Sequence, residues 1–185
     1  METLFYKLGY KENEKLSFLN KGRCGMWLIW IGVIIIFGTI TGGSNCLNPF
    51  VFGVGYSFGM FMMLRSKFVE KHFSLGENSK FQNRISCISI LFMFIIMLLI
   101  SGRYFATYNY RMIWLGALLA TAIHFIPFSL VHGKLLLILS IPLAINSLVG
   151  MFEPSVSFYY FGIIDGIIKV IFGIILIKTR KIISE

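Results

Sequence analysis

The chain has 185 residues, of which 57% are hydrophobic, with a mean hydropathy of +0.80 and a formal charge of +9. A soluble domain of this size would not be so apolar, and its apolar runs are too many and too long for one buried core, so the sequence specifies a polytopic membrane protein. The runs are unbroken rather than alternating, which excludes a barrel and leaves helices, because backbone polar groups in lipid must be satisfied within the span. The positive charge is assigned to membrane orientation and anionic headgroups, not to nucleic acid.

Residues 1–24 are polar, with Leu4, Phe5, Leu8, Leu16 and Leu19 set among charges. They form a cytoplasmic or interfacial segment, either a frayed tail or a short amphipathic helix at the headgroups. Residues 25–185 form a single transmembrane domain. Its first span, roughly Met26–Gly42, opens on the interfacial aromatics Trp27 and Trp30. Within it Gly25, Gly32 and Thr39 recur every seven residues, a small-residue seam for a neighbouring helix.

The second span, roughly Leu47–Leu64, contains the GxxxG pair Gly55 and Gly59, a close-packing signal. The stretch from Arg65 to Arg84 is the longest loop and is rich in Lys and Phe; it is a membrane-surface loop or a docking loop. The third span is roughly Ile85–Ile100. After it, Tyr104, Phe105, Tyr108 and Tyr110 form an interfacial aromatic girdle. The fourth span is roughly Met112–Leu130, with Ala117, Ala120, Thr121 and His124 on one stripe. The fifth, roughly Leu135–Phe152, contains Pro142, which removes one backbone donor, and Asn146.

The sixth span, Phe158–Ile177, carries Asp165 and Lys169 well inside the apolar run. At about 100° per residue, Gly162, Asp165, Gly166, Lys169 and Gly173 share one face. A charge at mid-bilayer costs about 2.5–3.5 kcal/mol, so this face must look at protein. Six spans put both termini on one side. That side holds Lys7, Lys11, Lys15, Lys21, Arg23, Arg65, Lys67, Lys71, Lys80, Arg84, Lys134, Lys178, Arg180 and Lys181, against Arg103 and Arg111 on the other. Both termini are therefore cytoplasmic, in a plasma-membrane protein.

With this orientation His124 and Lys169 are level near the midplane, and Asn146 and Asp165 are level in the outer half. If the last three spans are neighbours, these four residues line one polar site reached from outside. It would bind or move a small solute or relay protons, since imidazole titrates near neutral pH. Glu153 at the outer surface is a candidate gate. The opposing reading is that Asp165 and Lys169 neutralise each other at i, i+4 and only hold helices together, in an accessory, immunity-type or scaffold protein.

No metal or cofactor is expected, because HExxH, paired cysteines, a phosphate loop and a GxSxG turn are all missing. This argues against an enzyme. The three cysteines are too scattered for a disulfide. In size, span number and orientation the chain resembles the substrate-binding subunits of energy-coupling-factor vitamin transporters. That resemblance implies a small solute and partner membrane subunits. The chain departs from them at the first helix, which reads WLIWIGVIIIFGTITGG where those subunits carry an alanine-rich motif. In general character it is also similar to uncharacterised small membrane proteins of low-GC Gram-positive bacteria. Assembly as a homo-oligomer or with a partner subunit is consistent with either reading.

Overall fold

The computed structural model describes residues 6–10 and 16–180. Seven α-helices account for most of them: α1 Lys21–Ile40, α2 Pro49–Arg65, α3 Lys67–Phe73, α4 Lys80–Ser101, α5 Tyr110–His132, α6 Leu135–Phe152 and α7 Phe158–Lys178. Single 3-10 turns follow α1 and α4. Five of the six expected spans (α1, α4, α5, α6 and α7) are long and apolar enough to cross a membrane. The remaining one, α2, has 17 residues, about 25 Å of helix. The loop expected over 65–84 contains a further short helix, α3, which begins at the Ser66 cap.

Side-chain caps start α2, α3, α4, α5 and α7, whereas α1 and α6 begin without one. Asn48 accepts from Phe50 and Val51 with Pro49 at the first helical position, Ser79 and Gln82 form a reciprocal capping box, and Asn109 and Ser157 cap α5 and α7. Pro127 and Pro142 lie inside α5 and α6, and both helices continue through them. Lipid-packed neighbours tolerate this because other groups re-satisfy the freed backbone.

In packing order the spans run α2, α1, α7, α6, α5, α4. The two core clusters draw α5 against α1 and α7 as well. One joins Leu28, Ala122, Phe125, Leu139 and Leu176, and the other Ile31, Ile35, Leu115, Leu118 and Phe161. The peripheral helices α2 and α4 leave most of their apolar side chains exposed, as lipid contact requires. On α2 only Gly55 and Gly59 are buried. They receive Ile34 and Trp30 of α1, and Trp30 Nε1 donates to the Gly55 carbonyl at 2.8 Å.

The tightest contact joins α1 and α7, which run antiparallel. A methyl group on Gly25 would lie 2.6 Å from the Gly173 carbonyl oxygen, and one on Gly173 would lie 2.6 Å from the Gly25 carbonyl oxygen. Two helical turns further on, Gly32 and Gly166 repeat this reciprocity at 2.7 Å each way. Thr39 then lies against Gly162. The seven-residue seam of the first span therefore meets the small face of the last. Backbones this close replace side-chain burial with dispersion and Cα–H···O contacts.

The end of the bundle that carries most of the basic residues is laced by long-range bonds. Arg23 donates to the Met63 carbonyl at 2.6 Å, tying α1 to the end of α2, and Arg180 donates to that of His72, tying the chain just after α7 to α3. Gln82 donates to the Ser17 carbonyl, and Arg84 to that of Lys7. Leu8 and Leu16 pack with Phe81, Ile85 and Val131. The described parts of the leading segment thus dock onto α4 and α5. Of the basic residues counted for this side, Lys11, Lys15 and Lys181 lie outside the described residues.

A Gly32→Ala substitution is expected to lower the thermal midpoint of the purified protein, by an overpacking cost of about 1–3 kcal/mol. Gly53 on α2 has no atom within 4 Å of the position a methyl would take. Gly53→Ala should leave the midpoint unchanged or raise it slightly, by about 0.5–1 kcal/mol from helix propensity.

Candidate functional site

Asp165 and Lys169 lie on the α7 face that carries the glycine seam, one helical turn apart. Asp165 is 0% exposed and Lys169 is 1% exposed, so neither reaches lipid or headgroup. Lys169 Nζ donates to Asp165 Oδ2. It is the one ion pair among the described residues. The pair sits where α1 approaches closely: a methyl on Gly32 would lie 3.2 Å from the Lys169 Cβ. Asp165 Oδ1 is buried and has no hydrogen-bond partner.

The other two expected members lie near the pair but face different partners. Asn146 of α6 is 8% exposed, and its Nδ2 donates to the Phe161 carbonyl at 2.9 Å. Phe161 lies one turn before Asp165, and the bond ties α6 to α7. His124 of α5 is 7% exposed. Its Nδ1 engages the Thr121 carbonyl, which makes that nitrogen the protonated one in a neutral ring. The ring stacks on Phe125 and Phe128, with centroids 4.4 and 5.4 Å away. It lies within electrostatic reach of Lys169, although no hydrogen bond joins them. Glu153 follows α6 at the surface; its carboxylate accepts from Ser155 Oγ and its carbonyl from Arg111.

None of the four buried residues lines either of two recesses at the surface. One, of about 640 Å³, lies at the basic end between Asn20, Arg23, Glu70, Lys71 and Asn83. The other, of about 440 Å³, lies at the opposite end between Thr39, Cys46, Arg111, Ser157 and Tyr159. Among the described residues no group of three or more His, Cys, Asp or Glu side chains could hold a metal ion. All three cysteines are free.

Several polar residues emerge only from the structure. Asn20 and His132 are buried at the basic end, where Asn20 Nδ2 donates to Gly76 and Asn78. Arg111 was counted above only as an outer charge. It donates to the carbonyls of Gly150, Glu153 and Val156 at 2.7–3.0 Å and lies over the Phe161 ring. Its placement in the first turn of α5 gave no sign of this, because its partners lie 39 to 45 residues away.

The described residues form an all-helical bundle, five of whose helices are long and apolar enough to cross a membrane, with one buried ion pair. More particularly, the chain is a member of the family of unknown function DUF6609, whose model matches residues 11–185. No curated protein and no solved structure matches it. The topological resemblance to energy-coupling-factor subunits therefore gains no support from these comparisons.

Removing one partner of the buried pair strands a charge, so Asp165→Asn is expected to destabilise by about 3–5 kcal/mol. Asn146→Leu removes one interhelical bond, worth about 0.6 kcal/mol on average. Thermal or denaturant unfolding in detergent should rank Asp165→Asn well below Asn146→Leu, which should stay close to the parent protein.

Proposed function

We propose that this chain is a six-span plasma-membrane protein with both termini in the cytoplasm, and that its Asp165–Lys169 pair is a structural tie rather than a transport site. On this reading it serves as a non-transporting accessory or scaffold protein beside partner membrane proteins or further copies of itself. One observation carries the reading. The pair is sealed from solvent, neutralised within one helix, and set on the seam where α1 and α7 touch backbone to backbone. A solute or proton pathway needs water at the charged groups, and Asp165 and Lys169 are 0% and 1% exposed.

The orientation rests on the excess of Lys and Arg in the segment before α1, the region between α2 and α4, the α5–α6 turn and the end of α7. Although α2 is the shortest span, its 17 residues match the lower end of the spanning range. Anionic headgroups are the natural partners of the basic end.

A second reading has its own supporting observation. Asp165 Oδ1, buried without a partner, could accept a proton or a water, with His124 and Lys169 completing a relay. The two readings separate in one experiment. A buried ion pair replaced by hydrophobes of similar size is often neutral or stabilising. The double variant Asp165→Leu, Lys169→Met should therefore fold with a thermal midpoint at or above that of the parent, while each single variant falls below it. Proteoliposomes under a pH gradient should show no proton flux beyond protein-free vesicles. Flux in the parent that Asp165→Asn abolishes would overturn the structural reading.

A further inference from the structure

The recess at the less basic end has the composition of an anion site. Its wall on one side is the last turn of α1 and the loop after it, with Thr39, Ile40, Gly43 and Cys46; across from these stand Arg111 of α5 and the start of α7, Ser157, Phe158 and Tyr159. Three features there favour negative charge, and they come from different parts of the chain.

The first is Arg111. Its side chain donates to three carbonyl oxygens, which are neutral and leave the guanidinium charge uncompensated. Among the described residues no carboxylate pairs with it. Glu153, whose backbone Arg111 touches, gives it the carbonyl and turns its carboxylate to Ser155. The three bonds account for one hydrogen of Nη1 and both of Nη2, so further donors remain on this five-donor group.

The second is the N-terminus of α7. Its 21 residues end their aligned peptide dipoles here. Although Ser157 takes two of the first-turn N–H groups, accepting from Tyr159 on its hydroxyl and from Tyr160 on its carbonyl, the positive end of the dipole remains. The third is Thr39. It lines the recess, is 3% exposed, and its hydroxyl has no hydrogen-bond partner. That hydroxyl lies against Gly162, one turn into the same helix terminus. A polar group so deeply buried without a partner marks a place where a donor or acceptor is owed.

Tyr159 and Tyr160 at the α7 start are exposed, as are Tyr108 and Tyr110 before α5. Such residues sit at headgroup depth. A volume of about 440 Å³ falls within the range of small-ligand sites. From the unpaired guanidinium, the helix terminus and the orphan Thr39 hydroxyl we infer that this recess binds a phosphate group, held by Arg111 and the first turn of α7. Phosphate is the anion available at this depth from lipid headgroups, and it also occurs free in solution. The inference does not rest on the role given to the Asp165–Lys169 pair, which lies deeper in the bundle.

The molecule carries its own reporters. Cys46 lines the recess and is partly accessible, whereas Cys24 is buried and Cys87, which is exposed, can be replaced by serine. Trp114 Nε1 donates to the Asn45 carbonyl at 3.0 Å, next to Cys46. Burial pushes the Cys46 thiol above its ordinary pKa, with Arg111 opposing in part, so alkylation is best followed above neutral pH. The experiment measures Cys46 alkylation and Trp114 emission of the Cys87→Ser protein in two arms. One arm adds inorganic phosphate in a phosphate-free maltoside detergent. The other compares nanodiscs of phosphatidylglycerol with nanodiscs of an uncharged, phosphate-free glycolipid.

Alkylation should slow about tenfold when the ligand is near ten times its Kd, with the Trp114 signal saturating at the same midpoint. Slowing in the nanodisc arm alone assigns a lipid phosphate; slowing with inorganic phosphate assigns a soluble one. Arg111→Gln should abolish the effect and Thr39→Val should weaken it. No slowing in either arm overturns the inference. So does slowing that a folded Arg111→Gln leaves undiminished, or, where that variant does not fold, slowing that Thr39→Val leaves undiminished.

Discussion

The approach of α1 to α7 at glycine-to-carbonyl distance is the constraint on which the rest of the bundle depends. In lipid, apolar side chains gain little from leaving one hydrocarbon environment for another, so helices associate through close packing and polar contacts. Gly25, Gly32 and Thr39 on one helix and Gly162, Gly166 and Gly173 on the other supply that packing along four turns. Each pair is reciprocal at Gly25–Gly173 and Gly32–Gly166, which fixes register as well as distance. Once this antiparallel pair is set, α6 attaches through Asn146 and the Phe161 carbonyl, and α5 fills the space between them with Leu115, Leu118, Ala122 and Phe125.

The same seam explains how two opposite charges sit inside a hydrocarbon phase. An isolated charge there would be expelled, and burial of an ion pair repays its desolvation only with good geometry. The i, i+4 spacing gives that geometry within one helix, independent of any neighbour. Lys169, 1% exposed, donates to Asp165 within the bundle instead of snorkelling to the interface. Charge and glycine on this face are thus one device: the small residues admit the backbone, and the backbone encloses the pair.

The parts of this arrangement differ in how far the sequence exposes them. The apolar runs mark the spans to within a few residues, and α6 begins and ends where its hydropathy does. The face bearing Asp165 and Lys169 was legible because charge in lipid has a strong energetic sign. The seven-residue recurrence of Gly25, Gly32 and Thr39 identified a contact face. It could not identify the partner, because a spacing describes one helix and a contact takes two. The four polar residues grouped by depth are all buried, but which partners each would face was not legible. Depth follows from counting residues along each helix, whereas the direction of His124 depends on Phe125, Phe128 and its bond to Thr121. Arg111 was opaque for a similar reason: its acceptors are backbone carbonyls, which every residue carries and no sequence pattern distinguishes.

The two ends of the bundle are built differently, and the difference assigns their tasks. At the basic end, the Arg23, Arg180, Gln82 and Arg84 side chains reach backbone carbonyls across long sequence separations and bind the leading segment and α3 to the helix ends. At the opposite end Arg111 and Trp114 are the main long-range ties between loops. Between them the glycine seam admits little sliding, since any displacement brings carbonyl oxygens against opposing backbone. Arg111 grips the end of α6, the loop beyond it and the Phe161 ring of α7 at once, so one side chain joins three parts of this end.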